Sequence, residues 1–370
     1  MLTGLNIEGY RCFESFRMEG LVRVNLLVGR NGAGKTTLLE GVHFLQSGGD
    51  SEVLRSHAYR RGEVSFHGER EHTRVNLAHL FRGHELQIGS RFFLAGENGG
   101  CSVEVSVGPM SQDAQVPTEL IGRDEFNPPW CLLNISVHGE FTPKQMASNP
   151  NQLWLTGEGD VIPHVRPIRF APNDRDDGPP HAFVSGDSVW PKSLPEMWDR
   201  VLEGRREAQV SQAMRVIEGD LEDIVFPSGD PRSLSRLAVP RILVGLAGST
   251  RRLPMGSMGD GFRHFLSLCL AMSHAEGGCL LVDEIDTGLH YSVLSAMWKL
   301  VIETAKANNI QVFATTHSLD CVNGLAMMCR RNPGLVEQVS IHKIDRAINH
   351  SVNLTGEAIV DAVEGRIELR

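Results

Sequence analysis

Apolar positions in the first 28 residues fall into two short strand-like runs. The second ends in Val22-Arg23-Val24-Asn25-Leu26-Leu27-Val28, whose rising apolar character is that of a strand buried inside a sheet. A Gly-rich loop follows, then a helix through about Gln46. From Glu52 to about Pro143, period-two patches such as Ser102 to Val107 alternate with Gly and polar breaks and predict an antiparallel lobe. Positions 172 to 192 carry Pro172, Asp174, Asp176, Asp177, Gly178, Pro179 and Pro180, the composition of a linker or disordered loop. Met197, Val201, Val210, Met214, Ile217, Leu221 and Ile224 then recur at roughly helical spacing and predict a helical stretch from Leu194 to Phe226. The remainder reads as a compact α/β pattern: a helix from about Asp260, a strand at 279–283, a helix at 292–307, and strands at 310–315 and 335–344. No internal repeat or heptad run is present, which removes solenoids and long coiled coils.

Composition narrows the class. The chain has 370 residues, 41% hydrophobic and 22% charged, enough for one elaborate domain or two modest ones. Lys and Arg total 36 against 45 Asp and Glu, so binding nucleic acid through overall charge is excluded and only a local basic patch is left for it. Seven scattered cysteines without a C-x-x-C pair predict a reduced, cytosolic protein with no structural zinc. The start lacks a basic and an apolar leader region, and the longest apolar stretch, Phe265 to Met272, is broken by Ser267, so neither secretion nor a membrane span is expected.

Against that background the loop after the first buried strand carries chemistry. Gly29-Arg30-Asn31-Gly32-Ala33-Gly34-Lys35-Thr36-Thr37 fits G-x-x-x-x-G-K-[ST], directly after an apolar strand and directly before a helix. Glycines let the backbone wrap a phosphate closely, so that successive N–H groups and the helix start face the anion. Lys35 is placed to reach the β- and γ-phosphates and the Thr36 hydroxyl to ligate Mg²⁺. Cys279-Leu280-Leu281-Val282-Asp283-Glu284 is an apolar strand ending in two acids. There Asp283 can hold a magnesium-bound water, while Glu284 polarises the attacking water and favours hydrolysis over mere binding. The strand from Ile310 ends in Thr315-Thr316-His317-Ser318, and a parallel sheet would bring His317 to the same edge. Ser257-Met258-Gly259-Asp260-Gly261 precedes another helix and reads either as a second anion site or as an ordinary N-cap.

Taken together and in this order, the P-loop, S-x-G-D-G, D-E-I-D-T-G-L-H-Y and T-T-H-S resemble ATP-binding-cassette-type ATPase heads. The opening Leu5-Asn6-Ile7-Glu8-Gly9-Tyr10-Arg11-Cys12-Phe13 and the phrase Gly288-Leu289-His290-Tyr291 are similar, more narrowly, to the OLD-like (overcoming-lysogenisation-defect) AAA ATPases. The resemblance implies an α/β P-loop NTPase with an ABC/SMC-like head: a mainly parallel core sheet, an antiparallel β lobe and a helical insertion. Its parts would be residues 1–50 (first strands and P-loop), 51–171 (β-rich lobe), 172–240 (linker and helical insertion) and 241–370 (signature, Walker B, D-loop and switch histidine). It implies that Asn31, Gly32, Ala33, Gly34, Lys35, Thr36 and Thr37 bind ATP, that Thr36 and Asp283 hold Mg²⁺, and that Glu284 and His317 act in hydrolysis. It also implies that Ser257 and Gly259 contact the γ-phosphate bound by a second protomer, with Asp286 beside that interface, so that ATP joins a homodimer or a larger homo-oligomer. Arg11 matches a basic position lying near the phosphates in related heads.

OLD nucleases also carry a C-terminal Toprim domain, for which the stretch after His317 leaves no room; a separate effector, a Toprim or other nuclease, is the expected partner. The expected role is a sensor or switch in anti-phage defence. A recombination mediator would carry a Ser-x-Gly-Gln-like signature and D-D after the apolar strand, where Gly259-Asp260-Gly261 and Asp283-Glu284 stand. A slow nucleotide-gated scaffold is the remaining alternative, and GTP is disfavoured because no N-K-x-D motif occurs. Arg55, Arg60, Arg61, Arg70 and Arg74 form the densest basic cluster, either a nucleic-acid face or, with Glu63, Glu69 and Glu71 among them, a solvated surface.

Overall fold

Val24–Val28 is buried along its whole length because it lies inside a sheet with both faces covered. In the computed structural model, which describes residues 1–67, 72–97, 100–110, 130–139, 152–162, 180–186, 193–227, 242–365 and 367, this strand is β3. Its sheet has the order β10-β14-β15-β3-β16-β17, formed by β10 (His181–Val184), β14 (Cys279–Val282), β15 (Gln311–Thr315), β3, β16 (Val339–Lys343) and β17 (Val352–Thr355). Every pairing from β10 to β16 is parallel, and only β17 runs antiparallel to its neighbour. Alternate side chains serve different cores, as the two-residue period of a strand requires. Val24, Leu26 and Val28 pack with α5 (Asp260–His274), α6 (Leu294–Ala307) and α7 (Leu319–Arg331), whereas Leu27 joins α1 (Lys35–Gln46). Asn25, buried within the same strand, is satisfied by Val22, Val312 and Ser340.

The second sheet is antiparallel, with the order β2-β1-β6-β7-β8-β9: β1 (Gly4–Tyr10), β2 (Phe13–Glu19), β6 (Arg91–Glu97), β7 (Ser102–Pro109), β8 (Cys131–His138) and β9 (Gln152–Leu155). Helix α1 shares a core with it, and most of its residues, Lys35 and Glu40 included, are buried. The small pair β4 (Val64–His67) and β5 (His72–Val75) flanks this sheet in sequence. The expected architecture, a mainly parallel core with an antiparallel lobe, is the one observed.

Several boundaries differ from the sequence pattern. The lobe does not begin at residue 52, because Ser51–Arg60 forms helix α2, its start capped by Asp50 accepting from the Glu52 amide at 2.9 Å. The stretch 172–192, expected to be a linker or disordered loop, contributes strand β10 to the parallel sheet; four residues between Pro- and Asp-rich flanks are too few to register as a strand from pattern alone. Residues 163–179 and 187–192 of that region lie outside the described residues. The predicted helical stretch ends at α4: α3 covers Ser193–Glu203 and α4 Glu207–Met214, after which Leu221–Val225 is β11, paired with β12 (Leu243–Leu246), which pairs in turn with β13 (Leu253–Pro254). A register shift between Leu221 and Asp223 buries both Leu221 and Ile224, so a bulged strand imitates helical spacing. The chain closes with α8 (Glu357–Glu364).

Candidate functional site

Parallel pairing of β14, β15 and β3 places the ends of all three strands on one edge, and the chemistry collects there. β3 runs into the P-loop, which delivers Lys35 as the first residue of α1. Gly34, at φ 104, starts the helix where a Cβ would sit 2.4 Å from the Phe13 ring, so neither the backbone nor the space admits a side chain. The Lys35 ammonium donates to the carbonyls of Gly29 at 2.7 Å and Arg30 at 3.1 Å and lies 3.2 Å from His317 Nδ1. Burial pulls its pKa down to about 8, against the opposing pull of Asp283 and Glu284. Asn31 and Gly32 are exposed, Gly34 is half-buried and Ala33 is buried. Thr37, expected in the nucleotide-binding set, is buried and its hydroxyl accepts from Arg61 at 3.3 Å.

Thr36 and Asp283 meet: the hydroxyl donates to the carboxylate, 3.1 Å from either oxygen. Thr315, at the end of β15, donates to Asp283 at 2.7 Å and accepts from the Glu284 amide at 2.8 Å. Thr316 donates to Asp286 at 2.6 Å and accepts from the Ser318 amide. These two threonines organise both acidic positions. Within T-T-H-S the sequence pattern singles out only His317, since a threonine's role here depends on partners from another strand. Glu284 and His317 are exposed at the mouth, and the His317 pKa is lowered, first by burial of its ring atoms and then by Lys35. A hydroxyl and a carboxylate side by side are hard oxygen donors of the kind Mg²⁺ accepts, the rest of its shell coming from phosphate and water. Among the described residues no cluster of three or more His, Cys, Asp or Glu suits a metal.

The S-x-G-D-G segment stands apart from this cluster of hydrogen bonds. Ser257 and Gly259 are exposed, Gly259 is the N-cap of α5, and no side chain caps that helix start. Within the chain it is locked to the loop after Glu284: a Cβ at Gly261 would sit 2.1 Å from the Gly288 carbonyl oxygen.

One expectation is corrected. Arg11 does not face the P-loop mouth: its guanidinium, 5% exposed, pairs with Glu40 at 3.2 Å and with Glu63 at 2.5 Å. Arg60 and Arg61 of the basic cluster both pair with the fully buried Glu40, at 3.0 and 2.8 Å. A carboxylate without solvent requires such partners, and α1 carries it one turn beyond Thr36. Arg55 pairs with Glu52, Arg74 is largely buried with Asp160 as a nearby charge, and Arg70 lies outside the described residues. Behind the same helix His43 and His57 hydrogen-bond at 2.8 Å, and burial holds both well below the ordinary histidine pKa.

A parallel sheet gathering a P-loop lysine, a strand-end acid pair and a following histidine defines an α/β P-loop ATPase. Residues 5–107 match the model of an AAA domain, and residues 188–322 that of "AAA domain, putative AbiEii toxin, Type IV TA system", so AAA-type ATPase segments stand at both ends of the chain. Over 349 residues, 89% of either chain, it is 20% identical to a Helicobacter pylori protein named ATP/GTP phosphatase. Over 96 residues, 26% of this chain and 25% of the relative, it is 38% identical to the DNA replication and repair protein RecF of Shewanella baltica. Among solved structures it is similar to the SMC head domain from Thermotoga maritima (11% identity, TM-score 0.40, covering 96% of this chain and 98% of that one). A second is an SMC head bound to the C-terminal domain of ScpA, from Pyrococcus furiosus (12% identity, TM-score 0.48, 99% of both). No helix among the described residues is long and apolar enough to cross a membrane.

Proposed function

We propose that the chain is an OLD-like, magnesium-dependent ATPase that assembles on ATP through composite sites and switches a separate effector, a Toprim or other nuclease, in anti-phage defence within the cytoplasm. Its catalytic core would be shared between residues 1–50 and 241–370. Lys35 would neutralise charge on the β- and γ-phosphates, and Thr36 with Asp283 would hold a Mg²⁺ ion, which would supply further charge neutralisation there. Glu284 takes the proton of the attacking water, and His317, 3.2 Å from the Lys35 ammonium, hydrogen-bonds to the γ-phosphate.

The observation that carries the composite reading is the uncapped, exposed start of α5, tied through Gly261 and Gly288 to the loop holding Asp286. Such a helix start favours an anion, and in a two-fold dimer the second protomer's nucleotide supplies one. The test mixes two inactive variants. Gly259→Asp puts a carboxylate where the γ-phosphate must dock, and Lys35→Ala empties the P-loop; together they leave one intact composite site per mixed dimer. Recovery of ATPase activity on mixing is the expected result, and normal hydrolysis by monomeric Gly259→Asp protein refutes the arrangement. A second reading, a repair ATPase acting at DNA, is favoured by the RecF match and requires that DNA stimulate hydrolysis.

A further inference from the structure

Glu284 is held in an uncommon backbone conformation, φ 54, with its amide fixed to Thr315 Oγ1 at 2.8 Å. Its side chain lies against the exit of β10. That strand runs parallel to β14 with Val184 opposite Val282, and the Asp283 amide donates to the Val184 carbonyl at 2.8 Å. Ser185 and Gly186 therefore run beside Asp283 and Glu284. A Cβ at Gly186 would sit 3.1 Å from both Glu284 Cβ and Glu284 Oε2, and 3.3 Å from the Asp283 carbonyl oxygen. The backbone at Gly186 lies outside the left-handed region, so a side chain there is crowded by its neighbours rather than strained by φ. Thr287 Oγ1 lies 3.5 Å from Glu284 Oε2.

The geometry points to Gly186 as a positioning residue for hydrolysis: its missing side chain leaves the slot in which the Glu284 carboxylate turns toward the attacking water, with Thr287 beside that carboxylate. This rests on Glu284 as the base. In that step the water oxygen bonds to the γ-phosphorus, the bond to the β–γ bridging oxygen breaks with its electron pair left on ADP, and the water's proton passes to Glu284. A methyl group at Gly186 displaces the carboxylate by a few tenths of an ångström or more, and catalysis is sensitive to displacements of that order.

Gly186→Ala should therefore lower kcat by roughly 10-fold or more, with the calorimetric ATP affinity and the thermal midpoint unchanged. Thr287→Val, on the surface, should lower kcat by roughly 3-fold. Single-turnover rates in a Glu284→Gln background separate positioning from general damage: with the base gone, neither substitution should slow the residual reaction further. Wild-type kcat in Gly186→Ala protein, or an equal additional loss in the Glu284→Gln background, overturns the assignment. Should Gly186→Ala fail to fold, Thr287→Val with and without Glu284→Gln decides the same point. Wild-type turnover by Glu284→Gln alone overturns instead the reading of Glu284 as the base.

Discussion

At the scale of single residues, the site is a set of groups whose partners hold them ready for phosphate. Lys35 is 4% exposed; loop carbonyls satisfy its ammonium, and burial draws its pKa down to about 8. A triphosphate offers the same ammonium stronger, charged acceptors, each worth about 1.5–3 kcal/mol. Lys35→Ala is accordingly expected to weaken ATP binding by on the order of 100-fold or more, and titration calorimetry that finds unchanged affinity would remove the P-loop assignment. Thr315 shows the same economy, since one hydroxyl orients Asp283 and fixes the Glu284 amide. Arg11 shows the opposite: a basic residue near the loop in sequence is consumed by the buried Glu40.

At the scale of elements, burial inside the parallel sheet turns a histidine into an acid sensor for the fold. His342 on β16 is fully buried, its Nε2 2.9 Å from Ser340 Oγ and its Nδ1 3.2 Å from Ser351 Oγ. Burial lowers its pKa from 6.5 to about 4, so the folded state prefers the neutral ring. The resulting stability is fully present above pH 6.5 and is lost as pH falls from 6.5 through 4, about 3 kcal/mol in all. His43 and His57 act with the same sign. Urea unfolding at pH 7 and pH 4 should show a smaller acid loss for His342→Gln than for the parent protein; equal losses would remove His342 from that dependence.

At the scale of the whole molecule, the P-loop lies in the first 40 residues and its acidic partners near residue 283, and β3 inserted between β15 and β16 joins them. The start of α5 is exposed, and no side chain caps it. Glu284→Gln preserves the side-chain shape and loses the base, so it should bind ATP while hydrolysing it roughly 100-fold more slowly. Size-exclusion chromatography of this variant in Mg-ATP should then reveal a persistent dimer or larger species, and a monomer under saturating nucleotide would count against assembly through ATP.

The sequence alone determined the parts whose signal is local. A buried strand, a Gly-rich turn and a helix occur consecutively at residues 24–46, and an apolar strand with two terminal acids occurs at 279–284, because each needs only its own neighbours in the chain to be recognisable. Period-two patterning likewise marked β7. Tertiary structure decided the rest. Only sheet packing makes His181–Val184 a strand, since its edge position against β14 supplies the hydrogen bonds that its Pro- and Asp-rich surroundings do not suggest. Only the bulge in β11 explains why Leu221 and Ile224 are both buried at a spacing that reads as helix. The fate of the basic cluster was decided by Glu40, whose burial on α1 demands Arg11, Arg60 and Arg61 from elements far apart in sequence. The placing of Gly186 against Glu284 depends on parallel register across two strands nearly a hundred residues apart, a distance over which no sequence pattern operates.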